Sequence, residues 1–489
     1  MRRGAFSLLS LLLFSYESAA VKLSIQRPVV SQRPKAATNA NNNLINKGNE
    51  RYTANITISG RVVNVALDTG STDLWVMPPD NLPSFNDTHL NATIFYGDGT
   101  DYVQGEVGVG VFQLDTYSIP FQAFLYVQNA SVDEQPDFDD GIFGLWGLGF
   151  DTPGSSEVND AVQGAYGTSA TWGQSVLANI FQENPTGDDY IGISLSRNGD
   201  TGGTADASLT IAEYDSDYAA VANSPKIPQN PLNSGAWTVT LDSISVGGKA
   251  IDWPSTMEQA PAGKNIVVLD TGTTNVMMPA EQVAAIYSSI PGAAFSPNLD
   301  QSIPPTKFST TTGVWVLPCN ASVNVVATFG GQPFPIHPLD MSDMQVVTSP
   351  DGRRNYTMCI GTFTDVGTIV NGVSDALFGD SFMRNAYTVF NFGTGGNSKG
   401  DPFVQMLSQT DATKATADAT SVRSALMANM PPEISPIELV KIFNGSEPSG
   451  DTGAPAQGSG RSGSGNGALS LVPSLSLICA VALAFLAFF

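Results

Sequence analysis

Between Tyr52 and about Leu407, apolar residues fall mostly at every second position, in short runs broken by Gly, Asn, Asp and Pro. Tyr52-Thr-Ala-Asn-Ile-Thr-Ile58 alternates, Ser59-Gly60-Arg61 supplies a turn, and Val62–Leu67 resumes the alternation, which is the pattern of a β-hairpin. The same style returns far downstream in Trp237–Leu241, a turn at Gly247-Gly248, and Ile266–Leu269. Helical spacing is scarce. Its best case is Pro279–Ile290, where Val283, Ile286, Tyr287 and Ile290 sit at i, i+3, i+4 and i+7. Pro279 there suits a first turn, and Pro291-Gly292 stops the helix. The body is predicted to be mainly β.

Composition says little more about fold and much about function. Of 489 residues, 22 are Lys or Arg and 45 are Asp or Glu, a formal charge of −23. Charged residues make up 14% and apolar ones 42%, a globular profile in a chain long enough for two domains. An acidic chain with no basic patch is repelled by phosphate backbones, which excludes nucleic-acid partners. The only histidines, His89 and His337, are too few for a multi-His metal site, and neither stands near a recognisable nucleophile motif. Carboxylates are therefore expected to do the chemistry, without metal or cofactor.

Both ends read as processing signals. Met1-Arg2-Arg3, the apolar run Ala5–Phe14 and the small residues Ser18-Ala19-Ala20 form a signal peptide over residues 1–20. Its apolar run is about half the ~20 residues that a membrane span needs. Secretion makes one disulfide the simplest state of Cys319 and Cys359, because Cys479 lies in the apolar tail. Sequons at Asn55, Asn86, Asn91, Asn129, Asn320, Asn355 and Asn444 are expected glycosylation sites. Residues 21–51 carry six basic residues, ending at Arg51, against one acid, Glu50. This block is either a short pro-segment held by charge or a disordered arm. Residues 408–466 turn Ala/Thr-rich and then Gly/Ser-rich, as a stalk does. The final apolar stretch, Leu477–Phe489, is too short to span as a helix and no Lys or Arg follows it. Residues 467–489 suit a removed GPI signal, with Asn466 the favoured lipid attachment residue and the surface of the cell the expected location.

The candidate chemistry lies in a repeated tripeptide. Asp-Thr-Gly occurs at 68–70, 270–272 and 451–453. The third copy stands in the Gly/Ser-rich tail with no strand before it, an accident of composition. The first two share a context: Val63–Leu67 leads into Asp68-Thr69-Gly70-Ser71, and Asn265–Leu269 leads into Asp270-Thr271-Gly272-Thr273. Each apolar strand delivers a carboxylate into a tight glycine turn followed by a hydroxyl residue, which implies two duplicated lobes, residues 52–230 and 231–407. Amide hydrolysis without metal or nucleophile needs a base for water and an acid for the carbonyl. Two carboxylates close enough to share a proton provide both. Glycine lets backbone amides approach each carboxylate, and Ser71 and Thr273 can bond its outer oxygen.

With these motifs the chain resembles the pepsin-type (A1) aspartic endopeptidases, chiefly secreted and surface-anchored fungal members, over roughly residues 52–407. Proton sharing between two aspartates is the established behaviour of that family's dyad. The resemblance implies a bilobal β fold with the cleft between lobes, peptide or protein substrates, an acidic pH optimum and a monomer. Tyr96-Gly97-Asp98-Gly99-Thr100 resembles the flap, with Tyr96 as the flap tyrosine, Trp75 as its hydrogen-bonding neighbour and Asp98 facing a substrate cation. Gly144–Gly149 and Leu377–Asp380 resemble the segments that back each catalytic loop, and Cys319–Cys359 matches the C-lobe disulfide. Asn391 stands where Asp is usual, and residues 151–175 read as a surface insertion. The rival from another class, a catalytically inactive surface glycoprotein of the same fold, calls for loss of an aspartate or its glycine, and neither is lost.

Overall fold

The computed structural model describes Val21–Ser24 and residues 51–444, except 98, 116, 132–133, 184–186, 198–206, 298, 300–312, 366, 368–371 and 396–398. The predicted hairpin forms Thr53–Ile58 and Arg61–Asp68, in register from Thr53 opposite Ala66 to Ile58 opposite Arg61. It opens a seven-stranded N-lobe sheet, continued in spatial order by Gly144–Gly147, Leu74–Val76, Tyr117–Ala130, Asp101–Leu114 and Asn86–Tyr96. The predicted helix occupies Ala280–Tyr287, with Val283, Ile286 and Tyr287 buried.

The two lobes repeat one device. Arg61–Asp68 runs parallel to Gly144–Gly147, which in turn pairs antiparallel with Leu74–Val76. In the C-lobe, Asn265–Leu269 runs parallel to Ala376–Phe378, which pairs antiparallel with Val276–Met278. The chain thus leaves one strand, makes the acid-bearing turn and returns in another, while a distant segment fills the slot between them. Strands covered on both faces need unbroken apolar runs, and all five residues of Asn265–Leu269 are buried. Gly147 and Gly379 allow the backing segments to close in: a Cβ there would overlap the backbone of Thr72 and of Thr273.

A six-stranded sheet joins the halves, pairing Asp188–Ser194 with Ala386–Gly395. Above it Trp237 packs on Phe150 (ring centroids 4.2 Å apart) and on Phe390 (5.0 Å), which closes an aromatic core across the two halves. Buried Asp340 takes an ion pair from Arg384 at 2.6 Å within the C-lobe and one from Arg197 at 2.5 Å across the halves. Asn391 keeps a local structural task, accepting the Gly393 N–H at 2.9 Å. Cys319 and Cys359 form the disulfide, with Cα atoms 5.2 Å apart.

Three segments differ from the sequence reading. Of the leader, a pro-segment or an arm by sequence, Val21–Ser24 forms an edge strand paired with Ser208–Ile211, which departs from the arm and leaves the pro-segment open. Residues 151–175 are no surface insertion: helix Glu157–Tyr166 buries Val158 and Val162 in the same core as Trp75 and Leu125. Nor does the stalk begin at 408. Helices Ala412–Met427 and Pro436–Phe443 pack on the C-lobe, where Leu439 and Val440 join Val316, Val347 and Met358. Glu433 accepts the Cys319 N–H at 2.7 Å, and Arg423 donates to the Ser342 carbonyl. The signal segment, most of the leader, the Gly/Ser-rich stalk, Asn466 and the apolar tail lie outside the described residues.

Candidate active site

Asp68 ends its strand and Asp270 follows Leu269 directly, so the duplicated device brings both acids to the same floor. The two turns interlock through their threonines. Thr69 Oγ1 donates to the Leu269 carbonyl (3.0 Å) and accepts the Thr271 N–H (3.0 Å). Thr271 Oγ1 donates to the Leu67 carbonyl (2.9 Å) and accepts the Thr69 N–H (3.1 Å). Each carboxylate is gripped alike. Gly70 N–H donates to Asp68 Oδ1 at 2.7 Å and Gly272 N–H to Asp270 Oδ1 at 2.8 Å. The hydroxyls of Ser71 and Thr273 donate to the outer oxygens, the latter at 2.5 Å. Each glycine also faces the opposite acid: a Cβ on Gly70 would lie 2.6 Å from Asp270 Oδ1, and one on Gly272 would overlap Asp68 Oδ1.

Both aspartates are buried. Burial pushes the Asp68 carboxyl up to about 7, Asp270's charge and a hydrogen bond between the two carboxyls add to the rise, and Ser71 and Gly70 oppose it. Like charges at contact disfavour ionising both carboxyls together, so the pair is suited to sharing one proton.

The segment expected to be the flap forms the hairpin of Asn86–Tyr96 with Asp101–Leu114, turned by Gly97 (φ 56°) and Gly99 (φ 86°). Trp75 Nε1 donates to the Tyr96 hydroxyl oxygen at 2.6 Å. Burial, then the charges of Glu134 and Asp68, hold the Tyr96 hydroxyl well above its usual range, so it stays protonated and able to donate. Asp98 lies outside the described residues. His89 is exposed on the hairpin arm, 3.3 Å from Asp87, and His337 is buried beside Asp340.

Some neighbours of the dyad were not read from the sequence. Arg51 reaches the Gly272 carbonyl, Glu134 is buried close to Tyr96 and Arg51, and Phe138 packs edge-on against Trp75 at 6.4 Å. Asp73 accepts from Ser156 and from the Glu157 N–H, at the start of helix Glu157–Tyr166. Only the aspartate five residues after a strand end could have hinted at that cap, and nothing local distinguishes it from a solvated turn.

Residues 51–397 match the family described as eukaryotic aspartyl protease. The chain belongs to that family. An aspartic protease of Phaffia rhodozyma is 28% identical over 366 residues, covering 72% of this chain and 76% of the relative. The aspartic-type endopeptidase ctsD of Aspergillus fumigatus is 25% identical, covering 76% and 70%. Among solved structures, the aspartic proteinase of Irpex lacteus superposes with a TM-score of 0.53 at 16% identity, over 81% of this chain and 99% of its own. That likeness concerns the fold. For this aspartyl protease it agrees with the bilobal β architecture.

Proposed function

We propose that this aspartyl protease is an active endopeptidase in which Asp68 and Asp270 hold one proton and one water between them. The observation that carries the reading is the interlocked pair of turns, which fixes both carboxyls on buried backbone donors while one of them stays protonated. The ionised carboxylate takes a proton from water as the water oxygen attacks the scissile carbonyl carbon. The protonated carboxyl gives its proton to the carbonyl oxygen, forming a neutral tetrahedral diol. The protonated carboxyl then gives its proton to the amide nitrogen while the other carboxylate takes a proton from a diol hydroxyl, so the C–N bond breaks into acid and amine and the dyad is again singly protonated. Tyr96 and the flap close over the extended peptide and exclude water. Both aspartates come from one chain, so a monomer suffices. Because one carboxyl must carry a proton and the other must not, kcat/KM should follow a bell centred on the acid side of neutral. A pH–rate profile on a peptide substrate checks this, and a single optimum above about pH 8 would contradict it.

We read the protein further as a secreted, N-glycosylated enzyme tethered to the outside of the cell by a GPI anchor. In support, all seven sequon asparagines are exposed, and Cys319–Cys359 suits an oxidising compartment. The tail beyond the packed helix Pro436–Phe443 has the small residues, spacer and apolar end of an anchor signal. Phosphatidylinositol-specific phospholipase should release the enzyme from intact cells. Peptides from Leu477–Phe489 in the mature surface protein would refute the anchor.

A further inference from the structure

Arg51 closes the basic leader, yet its side chain is built into the floor of the cleft. Its side chain is 11% exposed, and the guanidinium donates through Nη1 to the Gly272 carbonyl at 2.6 Å and pairs through Nε with Asp137 at 3.3 Å. Burial alone would lower its pKa. Asp137 and Glu134, from the segment carrying helix Gln135–Asp139, and Asp380 from the C-lobe overcome that and keep it charged. Gly272 is no ordinary acceptor. Its N–H holds Asp270 Oδ1, and its Cα stands so close to the dyad that a Cβ would overlap Asp68 Oδ1. A charged donor on its carbonyl therefore pins the peptide where the two carboxyls converge, by a bond stronger than a neutral one.

We propose that Arg51 is a positioning residue of the mature enzyme: clamped by Asp137 on the N-lobe, it fixes the C-lobe catalytic turn through Gly272 and favours the singly ionised dyad. Any maturation cut in the leader must then fall before Arg51. The inference rests on the proteolytic reading above.

The test compares wild type with R51A, R51Q and R51K on one peptide substrate across pH, with mature N-termini sequenced. Loss of a charge-assisted hydrogen bond should lower kcat in R51A by roughly ten- to a hundredfold, with KM changed much less. The acid limb of the profile should move to higher pH by about half a unit or more in R51Q, because the positive charge that favours the ionised carboxyl is gone. R51K keeps the charge and should return the limb towards wild type while kcat stays reduced, since an ammonium cannot span Gly272 and Asp137 as a fork does. Should R51A fail to fold, R51Q and R51K decide the matter. An acid limb unmoved in R51Q overturns the proposal whatever kcat does. So does higher kcat/KM in R51A, which would make Arg51 an obstruction, or an active enzyme beginning after Arg51. An inactive wild type sinks the proteolytic reading itself, whereas an active wild type with an unmoved R51Q limb sinks this inference alone.

Discussion

Asp68→Asn and Asp270→Asn should each lower proteolysis by at least about a hundredfold while secretion, and thermal melting at acid pH, stay close to wild type. The amide matches the carboxyl in volume and can still accept the Gly70 or Gly272 N–H, so the interlocked threonines are not disturbed. What disappears is the shared proton, and with it the pairing of acid and base. The two variants should be equally disabled, since neither carboxyl has a task the other can assume alone. Assaying kcat on a peptide beside a melting curve checks this. Residual activity above a few per cent in either would remove the dyad from the mechanism.

The second large effect is on stability against pH. Burial pushes Asp73 up to about 6, although Ser156 and the Glu157 and Val158 N–H groups bond its carboxylate. A folded pKa above the unfolded value means that the native state binds the extra proton between about pH 4 and 6. Stability therefore falls as pH rises through that window, by about 3 kcal/mol for Asp73. Asp68 acts in the same sense up to about 7, and burial raises Asp151, Asp189 and Asp343 as well. His337 pulls the other way. Burial and Arg197 lower it to about 4, so stability gains between about pH 4 and 6.5 as the unfolded histidine loses its proton. One histidine offsets one carboxyl, and several carboxyls remain. On the acid side the limit is Asp340: burial would raise it, but Arg197 and Arg384 hold it well below the carboxylate range. Its contribution is present above about pH 4 and fades as pH falls further. Melting temperature should thus peak near pH 4 and drop towards pH 7, and Asp73→Asn should flatten that drop by up to about 3 kcal/mol. A melting temperature that rises from pH 4 to 7, or an Asp73→Asn curve parallel to wild type, would contradict this.

Local pattern made much of this legible in the sequence. Alternation found the Thr53–Asp68 hairpin, and helical spacing with Pro279 found Ala280–Tyr287. Repetition of strand, Asp-Thr-Gly and hydroxyl singled out Asp68 and Asp270, which the structure brings together, whereas the copy at 451–453 lies outside the described residues. Family motifs added Trp75 with Tyr96 and the two backing segments. What escaped depends on partners distant in sequence. The threonine cross-bonds link residues 202 positions apart, and Arg51 reaches a carbonyl 221 positions away. Charge balance alone placed Arg51 in the leader, with no means of showing a buried acid waiting for it. The helix Pro436–Phe443 was missed for another reason. Ser435-Pro436-Ile437-Glu438 is a visible helix start, with Ser435 accepting the Glu438 N–H at 3.2 Å, but the glycine-rich sequence after it coloured the whole segment as stalk.

The central claim is that two carboxyls of one chain, sharing a proton, hydrolyse peptide bonds. Its most direct test is digestion of an acid-denatured protein by the purified wild-type chain, with and without a statine-type peptide, beside Asp68→Asn and Asp270→Asn under the same acid conditions. The account predicts cleavage by wild type that the statine peptide abolishes, and none by either variant. Wild-type cleavage that survives the inhibitor, cleavage by a variant at wild-type rate, or a folded wild type that cuts nothing would contradict it.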